Sequence, residues 1–130
     1  QININNDDSF YEDTINTGSF EGKIKYKKHK TRERDKSIVK KKKRHFKQIH
    51  GKLFCEACGF SFGRNYGDRA FKKGEEFIEC HHNIPLHEED TRRLTRLSDL
   101  SLLCANCHRM VHTKSPWLTI DVLKVILGTQ

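Results

Sequence analysis

The stretch F-I-E-C-H-H-N-I-P-L, from Phe77 to Leu86, ends a short apolar run in two adjacent histidines, His81 and His82. Pro85 has a fixed φ and no amide N–H, so it ends any strand or helix there. Neighbouring side chains on an extended segment point to opposite faces. One imidazole of the pair can therefore turn inward to a metal while the other faces a substrate. The plain alternative is a surface pair, or one core histidine beside an exposed neighbour. The flanking sequence has to decide between them.

The chain has 130 residues, which suits one domain with an appended arm. Hydrophobic residues make up 35% and charged residues 32%, so the core is small and calls for a staple. Four of the five cysteines form two pairs of one spacing, Cys55-x-x-Cys58 and Cys104-x-x-Cys107, and Cys80 stands alone. No apolar run approaches the roughly 20 residues that span a bilayer, and no charged-then-apolar signal segment opens the chain. These features predict a soluble protein of the reducing cytoplasm with no membrane partner, where paired C-x-x-C motifs read as zinc rather than disulfides. The formal net charge of +8 and pI near 9.4 favour a polyanionic partner. An opening Gln1 is expected of a processed product or of a piece of something longer.

Residues 1–22 are rich in Asn, Asp, Ser, Thr and Gly without a sustained period. They read as a linker or loosely packed arm, with Phe10, Tyr11 and Phe20 as docking points. Residues 23–50 form a basic lead-in. Lys23 to Lys30 suits a short strand or extended arm, and Thr31 is the expected N-cap of a helix reaching about Ile49. On that helix Ile38, Val39, Phe46 and Ile49 gather on one side, while Lys40, Lys41, Lys42, Lys43 and Arg44 crowd the others. A solvated amphipathic helix is one reading, and a helix laid against phosphates is the other.

Residues 51–128 hold the chemistry. Gly51 breaks the helix, and a strand at Leu53-Phe54 is expected to enter a C-x-x-C-G knuckle at Cys55. Phe60, Phe62, Tyr66 and Phe71 supply aromatic filling between turns marked by Gly63, Gly67 and Gly74. Glu88 to Arg96 reads as a charged loop or short helix. Leu100 to Leu103 suits a strand that delivers Cys104, and residues 104–112 suit a helix with His108 and His112 on one face. A last helix runs from about Ile120 to Leu127, capped by Thr119 and stopped at Gly128.

Two donor sets emerge. The four paired cysteines can close a tetrahedral all-thiolate site, the composition of a structural zinc. Cys80 fits a small buried side chain better than a fifth ligand. His81, His108 and His112 supply three imidazoles and leave a coordination position open, the mark of a catalytic metal. His82 stands beside them with an ordinary pKa of about 6.5, suited to a general base near neutral pH. Asp99, just before the second strand, is placed to orient it. Two strands and a helix carrying these groups would form one ββα unit.

C-x-x-C, then E-C-H-H-N-I-P-L, then D-L-S-L-L-C-A-N-C-H-R-M-V-H resembles the HNH endonuclease family, in its zinc-containing branch related to modification-dependent restriction enzymes. The resemblance covers roughly Leu53 to His112. It implies an α+β, ββα-metal fold stapled by a four-cysteine structural zinc, with flanking helices. His82 matches the general base that activates water, His81 the first metal ligand, and His108 a metal ligand on the helix. His112 matches the last motif histidine, which binds metal or contacts the scissile phosphate. Asp99 takes the place of the motif asparagine that braces the base-bearing loop, although a carboxylate cannot donate as an amide does. Asn106 is the other candidate for that asparagine, but between two cysteines it reads as a turn residue. Arg109 is a candidate phosphate contact.

The activity so implied is metal-dependent hydrolysis of DNA, double-stranded in the first instance, to 5′-phosphate and 3′-hydroxyl ends in restriction or defence against foreign DNA. The active-site ion is open among Mg²⁺, Mn²⁺, Ni²⁺ and Zn²⁺. Two other readings stand beside it: a non-catalytic zinc module that binds nucleic acid, and a nuclease domain that works with a separate or fused recognition domain or as an oligomer.

Overall fold

The computed structural model of the chain describes residues 15–28, 35–85 and 93–128. The chain divides into two units, Gln1–Thr31 and Arg32–Gln130. In the first, residues 17–28 form no strand, and Phe20, Ile24 and Tyr26 are exposed. Phe10 and Tyr11 lie outside the described residues.

The second unit begins with α1 (Lys36–His50). Its cap is Asp35, whose carboxylate accepts from Ser37 N at 2.8 Å, rather than the expected Thr31, which is outside the described residues. Aspartate serves well there because its oxygen satisfies one of the amides left free at a helix start. Gly51 ends the helix in the left-handed region at φ 79°, its N–H donating to Lys47 O. Phe46 is buried and Ile38 and Val39 are half-buried, but Ile49 is 62% exposed. His50, also exposed, sets its ring 4.2 Å from that of Phe46 and 5.4 Å from that of Phe54.

Leu53 and Phe54 form no strand. Leu53 instead packs into a core with Phe46, Ile78 and Leu102. The knuckle closes next: Cys55 N donates to Phe60 O, and Gly59 N, at φ 81°, to Cys55 O. α2 (Phe62–Tyr66), capped by Ser61, and a 3₁₀ turn over Gly67–Ala70 lead into the hairpin of β1 (Phe71–Lys72) and β2 (Glu75–Glu76). Its two-residue loop, Lys73-Gly74, has both φ angles positive, as a type I′ turn requires. Gly63, expected at a turn, lies within α2. Its N–H donates to Glu76 Oε1, and a Cβ there would stand 2.7 Å from that oxygen. Phe60 and Phe62 pack edge to face, whereas Tyr66 and Phe71 are exposed and fill no core.

β3 (Glu79–His82) pairs antiparallel with β4 (Leu100–Leu103), with Cys80 opposite Leu102 and His81 opposite Ser101. A 3₁₀ turn, Leu97–Asp99, precedes β4. All of β4 is buried, because it is covered on both faces. Leu102 joins the α1 core, while Leu103 joins a second core with Val111 and Leu123. That second core lies under α3 (Ala105–Val111) and α4 (Ile120–Leu127). α4 has the expected caps, Thr119 and Gly128, but buries only Leu123 fully. The result is the expected mixed architecture of helices around small sheets. Of the charged segment 88–96, residues 93–96 are irregular and 88–92 lie outside the described residues.

Phe46 is the residue that fixes α1 to this framework. Phe46→Ala should lower unfolding free energy by about 3–5 kcal/mol, measured by denaturant titration of metal-loaded protein.

Candidate metal centre and active site

The two C-x-x-C motifs meet. Cys55, Cys58, Cys104 and Cys107 bring their sulfurs within 4.8 Å of one another. Cys58 Sγ and Cys104 Sγ are 3.7 Å apart. A disulfide would need about 2.05 Å. A tetrahedron with metal–sulfur bonds of about 2.3 Å has edges of about 3.8 Å, which this separation matches. Phe60 N donates to Cys58 Sγ and Cys107 N to Cys104 Sγ, as suits sulfurs carrying negative charge. Burial raises the Cys58 and Cys107 thiols, with neighbouring sulfurs adding to the effect. At Cys55 burial also acts upward, but N–H groups of Cys104, Cys58 and Ala57 outweigh it and hold the thiol low. Four sulfurs at this spacing form a donor set that can hold a structural metal.

Cys80 belongs to neither donor cluster. It packs half-buried beside the α1 core, and burial pushes its thiol up despite nearby Lys42 and Lys43.

The second set also converges. β3 delivers His81 and α3 delivers His108 and the following His112, with one donor atom of each within 4.8 Å of the others. His81 is 2% exposed, and its Nδ1 has no hydrogen-bond partner. Burial, then the neighbouring His108, His112 and His82, pushes its pKa down to about 4. His112 is likewise lowered, by burial and by His108. Neutral imidazoles around an unsatisfied buried nitrogen fit a divalent cation.

His82 follows on the opposite face of β3, half-buried, across from Leu100. Asp99 braces the end of the strand pair, though its carboxylate serves its own turn by accepting from Arg96 N at 2.8 Å. The tie to the histidine strand runs through its carbonyl, which accepts from Asn83 N at 2.8 Å. Asn83 Oδ1 in turn accepts from Ser101 Oγ. Asn106 is not a turn residue but an exposed member of α3.

An open groove beside the imidazoles is lined by Glu79, Ala105, His108, Arg109, His112 and Thr113. Arg109 is exposed on this groove. On α1, Lys40, Lys41 and Arg44 are exposed and Lys42 is half-buried. Lys43 differs from the expectation for that run. Its ammonium sits 3.0 Å from both Glu75 Oε1 and Glu76 O, pinning α1 to the β1–β2 hairpin.

Three contributors are absent from the sequence reading. Trp117 packs its ring 4.3 Å from that of His112 and 5.4 Å from that of His81. Glu56 pairs with β4, its N–H donating to Leu102 O and its carboxylate accepting from Leu102 N. Glu79 Oε2 stands 3.4 Å from His108 Nδ1. Strand alternation from His81 signals Glu79 in advance, whereas nothing periodic announces Trp117.

Residues 55–114 match the HNH endonuclease family model. The matched range holds both donor sets, β3, β4 and α3. No curated protein and no solved structure matches the chain. Among the described residues no helix is long and apolar enough to cross a membrane.

The environments of the five thiols predict their reactivity. Iodoacetamide at neutral pH should leave all five unlabelled in metal-loaded protein, and a chelator that strips the four-cysteine site should expose all five, Cys80 included, as the domain opens. Mass spectrometry of the alkylated peptides reads the outcome.

Proposed function

We propose that the HNH domain is a metal-dependent endonuclease that hydrolyses DNA phosphodiester bonds to 5′-phosphate and 3′-hydroxyl ends. The observation that carries this reading is the convergence of three imidazoles beside an open groove, within the HNH-matched range. A divalent ion held by His81, His108 and His112 would supply charge stabilisation to the phosphoryl and leaving oxygens. His82 takes the proton of the attacking water. Support for that role comes from its place on β3 directly after the buried His81, where it stays half-buried. Asp99 keeps the end of the histidine strand in register through Asn83. Arg109, exposed on the groove, meets a phosphate of the scissile strand.

The all-cysteine composition of the other set favours zinc. Lys40, Lys41, Lys42 and Arg44 on α1 provide phosphate contacts away from the reacting bond, consistent with the net charge of +8. The likeness of the E-C-H-H-N-I-P-L and D-L-S-L-L-C segments to modification-dependent restriction enzymes supports a role in restriction or defence.

General-base help is worth about 10²–10⁴-fold. His82→Ala should therefore slow Mg²⁺- or Mn²⁺-dependent cleavage of supercoiled plasmid by that factor while DNA binding persists. A variant that cuts at the wild-type rate removes His82 from the mechanism.

A further inference from the structure

An imidazole has two ring nitrogens, and a metal ligand must present one of them while something else engages the other. The three histidines are supported differently. His81 is held by burial and His112 by the ring of Trp117. His108 is half-buried at the groove, and beside it stands a carboxylate.

Glu79 lies on β3 two residues before His81, so the two side chains share one face of the strand. That face meets α3, and Glu79 Oε2 comes 3.4 Å from His108 Nδ1. A proton on Nδ1 shared with that carboxylate would leave Nε2 as the nitrogen to join His81 and His112. The chemistry of the groove gives a second argument. Glu79 is about half exposed within it, beside His112 and Arg109. A bare carboxylate there would repel a phosphodiester. Its charge is tolerable if it is committed to the metal-ligating histidine.

We propose that Glu79 is a positioning residue of the metal centre. Its carboxylate accepts the Nδ1 proton of His108, fixes the ring with Nε2 toward the ion, and strengthens that nitrogen as a donor. Partners of this kind behind metal-ligating histidines are typically worth about 10–100-fold in metal affinity. The inference rests on the reading of the three histidines as a metal centre.

Ni²⁺ titrated calorimetrically into protein holding one zinc per chain tests it, with Glu79→Ala, Glu79→Gln and His108→Ala compared to wild type. Circular dichroism checks that each variant is folded. Glu79→Ala should bind Ni²⁺ about 10–100-fold more weakly. Glu79→Gln keeps an acceptor oxygen and should recover most of that loss. Wild-type affinity in Glu79→Ala, with binding abolished in His108→Ala, would overturn the role of Glu79 and leave the three-histidine site standing. Equal losses in the Ala and Gln variants would also overturn it, because orientation by a hydrogen bond predicts rescue. Unchanged binding in His108→Ala would instead remove the metal centre on which the inference depends.

Discussion

Four sulfurs drawn from the Cys55–Cys58 turn and from the junction of β4 with α3 are held within 4.8 Å of one another. Burial and mutual repulsion both oppose ionising these sulfurs, which makes this cluster the demanding point of the structure. A cation relieves that repulsion and at once cross-links two segments far apart in sequence. Structural zinc supplies apparent binding free energies of about 10–16 kcal/mol in small zinc-finger peptides. The net stability of a whole domain is about 5–15 kcal/mol. A chain with 35% hydrophobic residues has little else of that size to draw on, so a metal at this cluster would decide whether the region folds.

The placement of the imidazoles follows from the clamp. Cys104 caps α3 and Cys107 lies one turn in, so the start of that helix is set by the cluster. His108 follows directly and His112 closes the helix. β4 ends at Leu103, next to Cys104, and carries β3 beside it through four paired residues, which brings His81 to the same helix. The sheet is therefore a spacer between a thiolate cluster that stabilises and an imidazole cluster that faces the groove. The α1 core, with Phe46, Leu53 and Ile78, backs the sheet on its other side.

Much of this arrangement was legible in the sequence, for physical reasons that differ between elements. Proline at 85, alternation along residues 79–82 and an unbroken apolar run at 100–103 are local signals, and the paired strands follow from them. The equal spacing of the two C-x-x-C motifs and the four-residue step between His108 and His112 carry metal geometry directly. What escaped the reading depended on tertiary context. Lys43 looks like one more solvated lysine until the β1–β2 hairpin brings Glu75 within 3.0 Å. The exposure of Ile49, and the packing of His50 against Phe46 and Phe54, depend on where α1 ends. Leu53-Phe54 has the composition of a strand, yet only Glu56 finds a backbone partner on β4. Trp117 reaches the histidines from beyond α3 by a path without periodicity.

Stepwise chelation followed by ¹H–¹⁵N correlation spectroscopy tests this hierarchy most directly. Two separable events are expected. Loss of the ion at the three histidines should shift resonances around Trp117, His108 and His112 and leave the remaining dispersion intact. Loss of the ion at the four cysteines should then collapse the spectrum of residues 36–128 toward that of an unfolded chain. A dispersed, native-like spectrum from fully metal-free protein would contradict the account, because the fold would then stand without the clamp on which the site is built.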